Sequence, residues 1–423
     1  MLTKLHNAGE GIEKKNLSSI GASVPFIMDG EAPLFTAAKN GQDKEVEIIL
    51  NKKETDVNWT DHQGRTPMFI AAENGHNRVI KLLLRYEGIQ INQADKGGES
   101  PLWIAAWKGY DEVVKLLLER KNINFNQANY HGSTPLLIAA HNGHVKVVEM
   151  LLEMKGIQVN QPWKLGATPL FMAAQKGHEK IVQLLLERKD INVNQANNQG
   201  ATPLLIAATK GHNKVAKILL DMEDIQVNQH WDSGATPLFM AAQSGHEEVV
   251  NVLLEKKDIS VNQANGKGST PLIIAAQNGH EKIVQLLLER RDININQANN
   301  KGATPLHMAA QNGHVKIVRL LLEIKDIQVT KARKDGTSPL EMALHQGHTE
   351  VVALLKDKLT KPLNDTPNCV VCFSNQPEVV LVPCGHQNLC GPCAYQIYER
   401  QRRCPMDRIG FTEILPLQLN KDG

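Results

Sequence analysis

The chain has 423 residues, enough for two or three ordinary domains or for one repeat array with a small module attached. Hydrophobic residues at 42% and charged residues at 22% exclude a disordered chain, and a net charge of +2 gives no electrostatic case for nucleic acid or an acidic membrane. No stretch approaches the ~18 apolar residues of a bilayer span, and the first residues lack the apolar core of a secretory signal. A cytoplasmic location is therefore expected, with the nucleus left open.

Residues 1–29 carry little pattern and are expected to act as a leader or cap. From residue 30 the sequence becomes periodic. Gly30, Gly64, Gly98 and their successors to Gly336 recur every 34 residues, and a second series runs from Gly41 to Gly347. A proline follows each glycine of the first series by three positions, from Pro33 to Pro339. Ten units without insertion fill residues 30–355.

The unit from residue 302 to 335 shows what the period means. Gly302 and the polar residues before it read as a tight turn. Thr304 is a natural N-cap, and Pro305 suits the first helical turn, where a missing N–H costs nothing. Leu306, Ala309 and Ala310 form a short apolar face, and Gly313 stops that helix. Ile317, Val318, Leu321 and Leu322 then form the inner stripe of a second helix. Helices this short are marginal alone, so neighbouring units must bury one another's apolar faces.

The stretches GATPLHMAAQNGHVKIVRLLLE and GSTPLIIAAQNGHEKIVQLLLE resemble the ankyrin repeat. The period also fits tetratricopeptide repeats, which lack the turn-Thr-Pro-Leu start and the mid-repeat Gly-His. The resemblance implies a mainly α fold, an ankyrin-repeat solenoid of ten helix-turn-helix units with short hairpin turns, that binds protein partners. The sequence departs from that family in its period, 34 where 33 is usual, and in the histidine after Pro-Leu. That histidine survives only as His307; Phe171, Leu205, Phe239 and Ile273 replace it elsewhere.

Eight repeats carry a histidine after the second glycine, from His76 to His348, and its recurrence at the repeat period points to a structural role. Trp59, Trp163 and Trp231 fall near the inter-repeat turns, while Trp103, Trp107 and Tyr110 cluster around one first helix. Exposed aromatics on a repeat surface serve as binding anchors; packed between turns they are core. Both readings stay open for Trp59, Trp163 and Trp231 as contacts to a protein substrate. A common face is expected for Trp163 and Trp231.

Residues 356–368 contain Pro362 and Pro367 and read as a linker. All six cysteines lie beyond it. They read as Cys369-x2-Cys372-x11-Cys384-x-His386-x3-Cys390-x2-Cys393-x10-Cys404-x2-Asp407, four pairs of donors close enough for each pair to share an ion. Eight ligands suffice for two closed structural zinc sites, and a disulfide framework would need an oxidising compartment for which there is no signal.

The segment 369–408 resembles the RING finger, particularly RINGs of the Mind bomb and MEX-3 kind, in CVVCFSNQPEVVLVPCGH, LCGPCA and CPMDR. That resemblance implies a small zinc-binding RING domain with two interleaved Zn2+ ions. Cys369, Cys372, Cys390 and Cys393 would hold one ion; Cys384, His386, Cys404 and Asp407 would hold the other. Asp407 stands where most of the family has cysteine; direct ligation and a water in its place both stay open. The resemblance also implies a ubiquitin-conjugating enzyme, charged with ubiquitin, docked on Val371, Ile397 and Pro405. Arg408 would bridge that enzyme and ubiquitin as the catalytic contact. With every cysteine committed to zinc, none remains to carry ubiquitin as a thioester. A RING-type ubiquitin ligase is the expected function; a non-enzymatic scaffold with a structural zinc module is the alternative. RNA binding, suggested by the MEX-3-like RING, has no accompanying KH module, so no nucleic acid or membrane partner is expected. The tail 409–423 alternates apolar residues over Ile409–Leu419 like a strand, and in some RINGs such a tail makes a homodimer.

Overall fold

The computed structural model describes residues 32–52 and 54–360, together with the strands Val379–Val382 and Glu413–Pro416. Among the described residues are twenty helices in ten pairs, and no helix is long and apolar enough to cross a membrane. The described chain falls into two compact units that part between Pro101 and Leu102. The first contains the helices Pro33–Lys39, Asp43–Leu50, Pro67–Glu73 and Asn77–Leu83. In the second, first helices run from Pro101–Lys108 to Pro339–His345 and second helices from Asp111–Leu118 to Thr349–Thr360.

First helices begin where the Thr-Pro dipeptides dictate. The hydroxyl of Thr202 accepts the N–H of Leu205 at 3.1 Å, and Thr168, Thr236 and Thr270 make the same bond at 3.2 Å. The proline that follows takes the first helical position without losing a bond. Ala32 replaces threonine in the first repeat, and its helix has no side-chain cap. Glycine closes most of these helices in the left-handed conformation, as Gly211 does with φ of 78°.

Second helices start differently. His212, His246 and their counterparts occupy the N-cap position yet their side chains make no bond to their own helix. Each spends its ring on the preceding repeat, where the Nε2–H of His212 donates to the carbonyl of Gln175 at 3.0 Å and that of His246 to Thr209 at 3.1 Å. All eight histidines make this bond, always to the residue 37 positions earlier. The core lies between the two helix rows. The residue after each proline is buried, Met68 in the second repeat and leucine in the others from Leu34 to Leu340, as are the alanine pairs up to Ala309 and Ala310 and much of the Val, Ile and Leu stripe of the second helices.

Asparagines of the Val-Asn-Gln segments add a second ladder. Asn194 donates from its amide to the carbonyl of Asp224 at 2.7 Å and accepts the N–H of Gln226 at 2.8 Å. Asn160 and Asn262 repeat the pattern with Asp190 and Asn192, and with Asp292 and Asn294. Beyond the array, Val379–Val382 pairs antiparallel with Glu413–Pro416, Val380 opposite Leu415. A strand thus forms within the alternating tail.

Candidate functional site

Six inter-repeat turns close on an aspartate or asparagine: Asp61, Asp95, Asn129, Asn197, Asn265 and Asn299. The carboxamide oxygen of Asn197 accepts the N–H groups of Gln199 and Ala201 at 3.0 and 2.9 Å, and Asn265 does the same with Lys267 and Ser269 at 3.0 Å. Trp163 and Trp231 occupy this position in their own repeats. Their turns keep the main-chain bonds, Trp163 N–H to Ala167 at 3.1 Å and Trp231 N–H to Ala235 at 2.9 Å. The two side-chain bonds are gone, a loss of about 1 kcal/mol each. Tryptophan here works against the turn.

What the two indoles do instead is line one cavity of about 470 Å³, together with Phe171, Met172, Ile206, His141 and Lys210. Both are half-buried. The Nε1–H of Trp163 and the Nδ1 of His141 are buried without a hydrogen-bond partner. Burial, then the charges of Lys176 and His178, hold the His141 pKa below the usual histidine value, so the ring stays neutral in this setting. No carboxylate lines the cavity among the described residues.

Three repeats further along, the equivalent positions line a second cavity of about 600 Å³. Lys267, Lys301 and Arg333 stand there in place of Leu165, Gln199 and Trp231. Arg333 pairs through Nη2 with Asp335 at 3.1 Å, while its buried Nε has no partner. One cavity is apolar and aromatic; the other is cationic.

The remaining aromatics separate from this pair. Trp59, in the first unit, meets the buried Phe35 edge-on with ring centroids 5.3 Å apart. Trp103 is buried and stacks on Trp107, whose exposed face carries the Lys108 ammonium 4.4 Å from the ring centroid. His141, Met172, Ile206 and Lys210 were not singled out by sequence, and Phe171 only as a replacement for the histidine after Pro-Leu. The signal that could have found them is the pair of tryptophans standing where other turns have Asx.

The candidate zinc ligands Cys369, Cys372, Cys384, His386, Cys390, Cys393, Cys404 and Asp407 lie outside the described residues, as do Val371, Ile397, Pro405 and Arg408. The strand Val379–Val382 falls between the second and third of these ligands, and Glu413–Pro416 follows the last. The donor set itself fits zinc: six thiols, an imidazole and a carboxylate. Elsewhere among the described residues no group of three or more His, Cys, Asp or Glu is placed to hold a metal.

Ten helix pairs, joined within each compact unit by histidine and asparagine bonds, define an ankyrin-repeat protein. The family described as ankyrin repeats (3 copies) matches residues 2–95, 87–162, 155–230, 224–299 and 291–367, and the chain belongs to it. Residues 365–414 match the zinc finger of C3HC4 type, the RING finger. Over 46 residues the chain is 46% identical to E3 ubiquitin-protein ligase NEURL3 of Rattus norvegicus, covering 11% of this chain and 18% of that protein. Human NEURL3 is 34% identical over 50 residues, covering 12% of this chain and 19% of its own. Human RNA-binding E3 ubiquitin-protein ligase MEX3C is 37% identical over 51 residues, 12% of this chain and 8% of its own. The chain thus spans about a fifth or less of the length of these relatives.

Proposed function

We propose that this protein is a RING-type ubiquitin ligase whose ankyrin repeats bind the protein to be modified. The observation that carries the reading is the ordered series of eight zinc donors in a segment similar to the RINGs of named ligases. Cys369, Cys372, Cys390 and Cys393 would hold one zinc ion and Cys384, His386, Cys404 and Asp407 the other. Bound there, zinc supplies structure and no reacting group, because four protein ligands close each site. The domains follow the sequence: repeats over 30–355, linker over 356–368, RING over 369–408, tail over 409–423.

The RING residues contribute position and not covalent chemistry. Val371, Ile397 and Pro405 form an apolar patch for the conjugating enzyme, and the planar guanidinium of Arg408 bridges carbonyls of that enzyme and ubiquitin. Holding the charged enzyme next to a bound substrate raises the effective concentration of its lysine. Support for the binding role of the repeats comes from the family itself and from the two cavities of the second unit. The test is self-ubiquitination of the zinc-loaded chain with a panel of conjugating enzymes. Transfer is expected, reduced at least about tenfold by Arg408→Ala and by Val371→Ala, an interface loss of about 1.4 kcal/mol or more. Inactivity with every enzyme would instead favour a scaffold.

A further inference from the structure

The two cavities of the second unit are the same place in the repeat, three units apart, furnished in opposite ways. At one, tryptophans replace the turn-forming Asx twice, at positions 163 and 231, and the space between them is walled by Phe171, Met172 and Ile206. Each indole gives up two turn hydrogen bonds and lines the cavity while staying only half-buried. At the other, Lys267, Lys301 and Arg333 line one cavity with no carboxylate among its described lining residues, Arg333 also pairing with Asp335 at 3.1 Å. Each cavity also holds a buried donor without a partner, the indole N–H of Trp163 and the Nε–H of Arg333. Both groups only donate, so what they lack is an acceptor.

We propose that this face binds one extended, acidic peptide segment of the protein substrate, with an apolar anchor seated between Trp163 and Trp231 and a carboxylate cluster on Lys267, Lys301 and Arg333. Charge complementarity selects the acidic end. The apolar wall and the unpaired indole select an anchor flanked by a carbonyl or hydroxyl. Packed helices sit about 8–10 Å apart, so three repeats separate the two subsites by roughly 30 Å. An extended chain of about ten residues spans that distance. Single-stranded nucleic acid would satisfy the cations, but it stacks its bases on open aromatic faces, whereas these indoles are half-buried and line a cavity with Phe171 and Met172. The assignment rests on the reading of the repeats as the substrate-binding part.

The turn chemistry supplies a variant that keeps the fold. Trp163→Asn with Trp231→Asn restores the residue type that closes six other turns, so its thermal midpoint should equal or exceed that of the parent. The probe is a set of fluorescein-labelled peptides bearing Leu, Phe, Tyr or Trp about ten residues from an Asp/Glu cluster, in both chain directions, read by anisotropy on the full chain. Binding should fall at least about tenfold in the Asn variant and in Lys267→Glu with Lys301→Glu. Added salt should weaken it in the parent. Peptides without the anchor, or with Asn and Gln for the acids, should bind as weakly as those variants. Equal binding by parent and variants would overturn the proposal, as would displacement of the peptide by a single-stranded RNA that binds more tightly. Self-ubiquitination separates the two readings: peptide binding without ubiquitin transfer would sink the ligase and leave this site standing. Transfer by a chain that binds none of the peptides would sink the site alone.

Discussion

The position after Pro-Leu is apolar in most repeats and a histidine in one, and the surroundings of that histidine fix its protonation state. The Nε2 of His307 faces the carbonyl of Thr337 at 3.3 Å and must carry the proton, because a carbonyl only accepts. Its Nδ1 is then free to accept the N–H of Thr304 at 3.2 Å, completing a capping box. Burial above all, with Arg333 and Lys331 nearby, pushes the pKa down to about 4, against the Thr337 carbonyl and the Asp335 carboxylate, which favour the cation. A histidine whose folded pKa lies below its ordinary 6.5 binds fewer protons folded than unfolded. Its contribution is therefore complete above pH 6.5 and is lost as the pH falls towards 4, about 3 kcal/mol in all. Urea unfolding at pH 7 and pH 4.5 should show a larger loss in the parent than in His307→Leu. An equal loss would mean the ring is charged in the fold.

At the scale of the element, eight of the second helices are keyed to the first helix of the preceding repeat by a histidine and by the glycine beneath its ring. A Cβ added to Gly211, at φ of +78°, would come within 2.6 Å of the His246 ring. Gly211→Ala is expected to cost about 2 kcal/mol or more, from left-handed strain and a displaced ring. His246→Ala should cost about 1 kcal/mol by leaving the Thr209 carbonyl unpaired. Because both act on one contact, the double variant should cost less than the sum, measurable as coupling in denaturant unfolding. First helices were legible in sequence to the residue, since Thr, Pro and a closing glycine are local signals. The starts of second helices were not, because a histidine at the N-cap means nothing until its acceptor 37 residues earlier is known. The asparagines of the Val-Asn-Gln segments read only as turn formers for the same reason: Asn194 bonds residues 30 and 32 positions ahead.

For the molecule as a whole, sequence identified the repeats and the RING segment and expected a common face for Trp163 and Trp231, but it kept Trp59 with them as a candidate substrate contact. Trp163 and Trp231 share a cavity, while Trp59 packs on Phe35 in the other unit. Proximity to a turn is visible in sequence; which side of it a ring takes is decided by packing. The candidate zinc ligands were proposed from their spacing, which limits which donors can share an ion, and they lie outside the described residues. Native mass spectrometry of the whole chain should find two zinc ions, and one or none would contradict the ligand assignment. A chelator should abolish ubiquitin transfer while the far-ultraviolet signal of twenty helices persists, because a small zinc module depends on its metal and the repeats do not. Cys390→Ser should behave as the chelated protein does, whereas Asp407→Cys should retain both ions.

The bonds from histidine and asparagine reach across a constant stretch of chain, back 37 residues or forward 30 and 32. Excising any whole period of 34 residues from the middle of the second unit would bring an equivalent acceptor to every orphaned donor, so the shortened chain should still close all its ladders. Removing half a period would leave rings and amides facing the wrong atoms. Such a chain can change its length only in complete steps, and the spacing between its two unlike cavities is quantised with it.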